Sequence, residues 1–477
     1  MRVIASAVRA FVVLLAALPA LSQVELGARP SCPPVFAAWL QGEPVPTAEE
    51  QAPKCRVYAF YTVAQSATRF VQEGDYFAAL QRRWSERGVV VTAVVGEKDV
   101  ALTTWPGCRV AHDDKLAVTL PWFTLGNTGP CVVVLDPKGR ARFVGAPEAG
   151  LVDAVEAVLA GRDTVDAERS AATLRIDLVA AFDDATAAVA DPLEQVVAHA
   201  PRDGLARGLL FLVLATKKND DAAARKFMQE SLAALANEAR PLAAFADLAL
   251  RGDPRRDGIA VLVRDALKPV AAAVPSDTFV QLTWLRTLVL TGDERETGRQ
   301  SMKLRKQVTA TASDCLDFAS VLSQAANAPV HRDLATMAIE KAASLQATPR
   351  LLLAARYGVA ARCANDSEAQ KALLDEYLKD TEMRVSINND CWYLMTELAT
   401  MGRYDALAAG LADRMLEQKE SMDYFEFDTA ALAMFLVGRF ADAVALQETA
   451  IEKGGKGNPE YTERLQRYQA RLSPAPR

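Results

Sequence analysis

After Gly161 the chain stops signalling strands. From residue 165 to about 473 it is rich in Ala and Leu, with apolar positions at helical spacing and breaks at regular intervals. A first long helix follows Thr164 and runs past Leu178. The second helices of later pairs are expected to begin near Asp221, Arg255, Glu294, Arg332, Ser367, Tyr404 and Phe440. That spacing, about 34 to 40 residues, is the mark of a helical repeat array. Two internal matches support it. Gly252-Asp253-Pro254-Arg255-Arg256-Asp257-Gly258 recurs forty residues on as Gly292-Asp293-Glu294-Arg295-Glu296-Thr297-Gly298. Gly402-Arg403-Tyr404 recurs thirty-six residues on as Gly438-Arg439-Phe440. Residues 165–473 are therefore expected to form an all-α solenoid of stacked helix pairs.

Residues 55–161 read differently, as alternating strand and helix. Cys55 to Thr62 is a first strand, β-branched and aromatic. Ser66 to Arg87 is a helix in which Phe70, Phe77, Leu80 and Trp84 recur at helical spacing. Gly88 to Gly96 is a near-continuous apolar run, as expected of a strand covered on both faces. Asp113 to Leu120 reads as a short helix, and Cys131 to Asp136 as a third strand. Asp136-Pro137-Lys138-Gly139 is a turn by composition, Arg140 to Gly145 closes that hairpin, and Gly150 to Leu159 is a last helix. The result is an α/β domain over 55–161, preceded by a leader over 23–54 with room for one edge strand.

Composition narrows the functional classes. At 477 residues, 51% hydrophobic and 24% charged, the chain is long enough for two or three domains with real cores. A formal net charge of −6 and the lack of any Lys/Arg cluster argue against a nucleic-acid partner. Residues 1–22 read as a secretion signal: Arg2 and Arg9 precede and open an apolar stretch from Ala10 to Leu21, with small residues Ala20 and Ser22 at a cleavage point after Ser22. The stretch is about a dozen residues, too short to span a bilayer. Cleavage removes two arginines and no acids, moving the charge from −6 to −8. No later run is long enough to span, so the expected mature protein has no transmembrane segment and is exported, periplasmic or extracellular. Seven cysteines remain: Cys32, Cys55, Cys108, Cys131, Cys315, Cys363 and Cys391. In an exported chain they are free to pair, and Cys108 has Cys32, Cys55 and Cys131 as candidate partners. An odd total leaves at least one thiol unpaired within the chain.

The stretch Ala59-Phe60-Tyr61-Thr62-Val63-Ala64-Gln65-Ser66-Ala67-Thr68-Arg69 ends a strand and opens a helix, about 65 residues before Thr128-Gly129-Pro130 leads into Cys131. This order resembles the thioredoxin-like redoxin family over about 110 residues. In that family a Cys-x-x-Cys pair sits at the helix start, where the N-terminal N–H groups and dipole stabilise a thiolate. The matching positions here are Gln65 and Thr68. An amide cannot attack a disulfide and a hydroxyl cannot resolve one, so the resemblance implies the fold without its dithiol chemistry. It also implies that Pro130 is the family's cis-proline, facing the helix start; a strand-opening trans proline is the other reading. For Cys131, next in the chain, two readings stand: a small buried residue of a core strand, or a monothiol that forms mixed disulfides from the proline side.

The last helix pair carries Phe427, Ala431, Met434, Gly438, Phe440, Ala443 and Ala450, an order that resembles a tetratricopeptide repeat. The glycine permits a tight interhelical turn, and the small residues let two helices approach. The preceding copy keeps Gly402 and Tyr404 but has Leu407 in place of the first alanine. Such arrays bind polypeptides or proteins through a concave face.

Other constellations are thin. His112, His199 and His331 are scattered without ligand spacing, so no metal is expected, and His112 beside Asp113 and Asp114 reads as a helix cap. Nucleophile-elbow, phosphate-loop and dinucleotide patterns are absent, so no cofactor is expected. Trp284, Trp392 and Tyr393 read as packing residues, Cys315, Cys363 and Cys391 as helix core, and Lys303 to Lys306 as a solvated face. The expectation is an exported scaffold whose redoxin-like and tetratricopeptide-like parts bind polypeptide without catalysis. The alternative is a monothiol oxidoreductase or chaperone-like enzyme using Cys131.

Overall fold

The computed structural model describes residues 24–30, 34–45, 53–61, 66–96, 105–114, 118–119, 131–181, 189–217, 221–251, 258–308, 311–325, 327–379, 384–397 and 400–472. Near the N-terminus lies a six-stranded mixed sheet made of β1 (Ala38–Gln41), β2 (Cys55–Tyr61), β3 (Val89–Val95), β4 (Arg109–His112), β5 (Cys131–Leu135) and β6 (Ala141–Gly145), in the order β1-β4-β3-β2-β5-β6. Strand β2 is buried along its whole length: its apolar and aromatic residues suit a strand covered on both faces, and its one charged member, Arg56, donates to Asp136 O at 3.2 Å and Pro137 O at 3.1 Å. Helix α1 (Ser66–Trp84) connects β2 to β3, which lie parallel with Cys55 opposite Val89 and Tyr61 opposite Val95. The helix passes into a 3₁₀ turn over Ser85–Arg87 and stops at Gly88. Strands β5 and β6 form a hairpin. Antiparallel β5 pairs with β2, Phe60 standing opposite Cys131. The Asp136 carboxylate fixes the hairpin turn by accepting the Arg140 N–H at 2.9 Å, and it pairs with Arg140 and Arg142. On the outer side of β6 the chain returns as backbone: Gly27 N donates to Ala141 O and Ala141 N to Ala28 O, both at 2.8 Å.

The expected strands and helices of this region appear within a residue or two. Two features differ. The leader supplies the edge strand it has room for, β1, but this pairs with β4, a strand the sequence does not signal. Arg109 to His112 is only four residues long and begins one residue beyond Pro106-Gly107, too short a run to show a period. The helix expected over 113–120 falls largely outside the described residues. What is described there is a local cap, the Asp113 carboxylate accepting the N–H groups of Val118 and Thr119 at 2.8 Å.

The rest of the described chain is helical. Helix α2 (Leu151–Leu159) packs on β5 and β6. Then follow α3 (Val165–Ala181), α4 (Ala190–His199), α5 (Gly204–Leu212), α6 (Asp221–Ala234), α7 (Ala239–Arg251), α8 (Ile259–Ala273), α9 (Thr278–Leu290) and α10 (Glu294–Leu304). Next come α11 (Ala312–Ser323), α12 (Arg332–Ser344), α13 (Pro349–Val359), α14 (Ser367–Leu378), α15 (Arg384–Thr396), α16 (Asp405–Leu416), α17 (Tyr424–Leu436), α18 (Phe440–Ala450) and α19 (Pro459–Leu472). Six of the seven predicted second-helix starts fall on or beside an observed start; the seventh, Arg255, is outside the described residues, and α8 begins four residues later. Consecutive helices pack in pairs: α11 with α12, α13 with α14, α15 with α16, α17 with α18. First helices also touch the next first helix, α11 with α13 and α15 with α17. The turns show why the repeat keeps its glycine. Gly402 has φ +70° and Gly438 φ +83°, left-handed conformations that a side chain resists. Ala431, Ala443 and Ala450 are fully buried, and Leu407 fills the alanine position of the earlier copy from within the core.

The chain divides into two compact units, Met1–Leu250 with Gly258–Thr287, and Arg251–Asp257 with Leu288–Arg477. The first unit therefore joins the sheet to helices α2 to α8 and most of α9. The change from mixed to helical structure near residue 161 is not where compactness breaks.

Candidate functional site

The positions that would carry redoxin chemistry divide into those the structure describes and those it does not. Gln65 and Pro130 lie outside the described residues. Thr68 belongs to the first turns of α1 by its backbone alone, its side chain being outside what the structure describes. Cys131 opens β5, 2% exposed, in a core with Tyr58, Phe60, Val94, Ala111 and Val133. Burial pushes its thiol far above the ordinary range, and the hydrogen bond with the Gly145 backbone offsets only part of that. A thiol so held is a small apolar side chain rather than a nucleophile. Cys55 is likewise buried with its thiol pushed up, chiefly by burial. Cys108 is pushed up to about 12, for the same first reason. All six described cysteines are free, so the candidate pairings of Cys108 with Cys55 and Cys131 are not formed; Cys32 lies outside the described residues.

The histidines do not converge. His112 is on β4 rather than at a helix cap, its backbone paired with Ala38 and its Nδ1 without a hydrogen-bond partner among the described residues. His199 Nε2 lies 3.1 Å from Glu168 Oε2. Burial holds the His331 imidazole below its ordinary value, Glu294 opposing. Among the described residues no group of three or more His, Cys, Asp or Glu is placed to hold a metal ion. Trp284 is buried on α9. Trp392, half-buried on α15, lies under the Arg464 guanidinium at 5.5 Å from its ring centre. Both pack as expected.

What the first unit does assemble is a buried polar cluster beside α1. Phe70 and Phe77 sit one above the other on the helix and stack on Trp105, with ring centres 4.9 and 5.1 Å away. The Trp105 indole donates to Phe70 O at 2.9 Å. On the same helical face, between the two phenylalanines, stands Glu73. Its carboxylate accepts the Tyr61 hydroxyl at 2.5 Å and meets Arg240 Nη2 at 2.9 Å. Arg240, from α7, also faces Glu148 of the β6–α2 loop at 3.8 Å and Asp277, just before α9, at 3.0 Å. The last contact is out of line for a hydrogen bond, so it is ionic. The rings of Tyr76 and Phe279 complete the guanidinium's surroundings, at 5.9 and 5.7 Å. Asp277 does two jobs, since its other carboxylate oxygen accepts Val280 N–H at 3.1 Å at the start of α9.

A second group runs alongside. Glu238, buried before α7, pairs with Arg83 of α1 at 2.7 Å and lies 3.6 Å from Arg202. Arg202 N–H donates to Asp153 of α2 at 2.6 Å. Burial pushes Asp153 up to about 6, against the pull of Arg202. These two groups tie α1, α2 and the β6–α2 loop to α7 and the turn before α9. The arrangement neutralises buried charge and positions the elements that carry it. Glu73 was legible as an acid placed on the core stripe between Phe70 and Phe77, and Asp277 as a helix cap in Ser276-Asp277-Thr278. Arg240 carries no local signal, because its partners lie far away in the chain.

No protein-family model matches the chain, and no curated protein matches it. Among solved structures, human IFIT1, determined as a dimer with PPP-AAAA, is 16% identical; the match covers 65% of this chain and 69% of that one, with a TM-score of 0.35. The tetratricopeptide domain of P58(IPK) is 14% identical, covering 67% of this chain and 92% of that one, with a TM-score of 0.18.

Proposed function

We propose that the protein is an exported, non-enzymatic scaffold. In this reading a thioredoxin-like domain that has lost its dithiol is joined to a tetratricopeptide-like array, and both bind polypeptide partners. The sheet's inner order supports the first part: parallel β2 and β3 joined by α1, then the antiparallel β5–β6 hairpin and α2. The paired helices with turn glycines support the second. Export rests on the signal-like residues 1–22. No helix among the described residues is long and apolar enough to cross a membrane.

The observation that carries the non-enzymatic reading is the burial of Cys131. The monothiol alternative needs that sulfur as a thiolate within reach of a partner disulfide, and its burial favours neither condition. An insulin-reduction assay tests it: no turnover is expected from the wild-type chain, and turnover abolished by Cys131→Ser would overturn the reading. Export is tested by N-terminal sequencing of protein recovered from a secreting bacterial host, with Gln23 expected first and a retained Met1 counting against it. Polypeptide binding is tested on a peptide array probed with the full chain, where a complete lack of saturable binding would sink that part.

A further inference from the structure

In the first unit three carboxylates face one guanidinium. Glu73 comes from α1, Glu148 from the β6–α2 loop and Asp277 from the turn before α9, while Arg240 comes from α7. The phenol of Tyr61 from β2 closes the set through Glu73, and Tyr76 from α1 stands over Arg240 with Glu238 acting on it. Arg240, Glu73 and Asp277 are all almost completely buried. With Glu73 and Asp277 both ionised, the single guanidinium they share would leave a negative charge in excess where water is scarce, which is costly. One bound proton removes that excess.

We propose that this cluster is an acid-tightened clasp between α1 with the β6–α2 loop on one side and α7 with the turn before α9 on the other. It takes up a proton as the surroundings turn mildly acidic and grips more firmly, and it slackens as they return to neutral. Asp277 illustrates the direction. Burial pushes it up from 3.8 to about 6, Arg240 pulls it down, Glu73 and Glu148 push it up, and the Val280 N–H pulls it down. The folded carboxyl keeps its proton to higher pH than the unfolded one. Its contribution is therefore complete below about pH 4 and is lost as pH rises through about 6.

Hydrogen exchange of the full chain at pH 5 and pH 7.5, corrected for intrinsic rates, tests this. Segments 70–76, 146–150 and 274–281 should open roughly tenfold or more less often at pH 5. In Asp277→Asn that difference should shrink to below about threefold, mainly through better protection at pH 7.5. Asp153→Asn, which also removes a raised carboxyl but outside the clasp, should keep the wild-type response in these segments. An unaltered response in Asp277→Asn, or equal protection of the wild type at both pH values, overturns the proposal. Should Asp277→Asn not fold because Arg240 loses a charged partner, Glu73→Gln, which removes a charge that pushes Asp277 up, is read the same way: loss of the response supports the clasp and its persistence overturns it.

Discussion

Replacing Arg240 with Met should destabilise the first unit by about 3–5 kcal/mol, because Glu73 and Asp277 are then left as buried charges without a cation. Chemical denaturation followed by circular dichroism measures it, and a loss below about 1 kcal/mol would mean that water reaches the site. The cysteines make an opposite case, in which burial silences a reactive group. Native protein titrated with a thiol reagent at pH 8 should show the six described cysteines unreactive, and denaturant should release them. Rapid native labelling at Cys131 would contradict its place in the core. At this scale the sequence is least legible. Glu73 announces itself by interrupting an apolar stripe, but its partner lies on another helix far along the chain, and pairing at that separation leaves no local trace. Gln65 and Thr68 are legible in a different sense: their atom types alone bar dithiol exchange at those positions, wherever their side chains point.

Helices are where the sequence speaks most clearly. The starts at Asp221, Glu294, Arg332, Ser367 and Phe440 could be read because caps and breaks are local and the period is long enough to count. Asp366 shows the physics: its carboxylate accepts the Ala369 N–H at 2.9 Å and so occupies one of the four free donors of α14. Asp366→Ala should cost about 1 kcal/mol in the second unit, and Asp366→Ser about half that or less, as read from urea midpoints. Strand β4 marks the limit. Four residues after a Pro-Gly pair cannot display alternation, and their pairing with β1 and β3 depends on neighbours distant in sequence, so His112 reads as part of a cap when it is part of a ladder. Close packing sets a second limit. A Cβ at Gly204 would overlap the Pro241 carbonyl, a constraint made by the approach of α5 to the start of α7 and invisible in either segment alone. Gly204→Ala should therefore lower the thermal midpoint by several degrees.

For the molecule as a whole, the break between mixed and helical sequence at Gly161 is not the break between compact units. The ionic groups around Arg240 and Glu238 lie across it. A fragment of residues 24–161 should then fold poorly, with Glu73, Tyr61 and Arg83 stripped of their partners, whereas residues 24–290 should give a cooperative melt. Near-ultraviolet circular dichroism of the two fragments checks this, and a native-like spectrum from the shorter one would show that the sheet holds itself together.

The return of Gly27 and Ala28 along β6 has a consequence for self-association. A sheet exposes two rims, and each is a template on which another copy can stack. Here the Ala141 end of the β6 rim is already occupied by the molecule's own backbone. Rim-to-rim joining at that end of β6 is then blocked, and the route from a sticky sheet to a growing fibre is narrowed there.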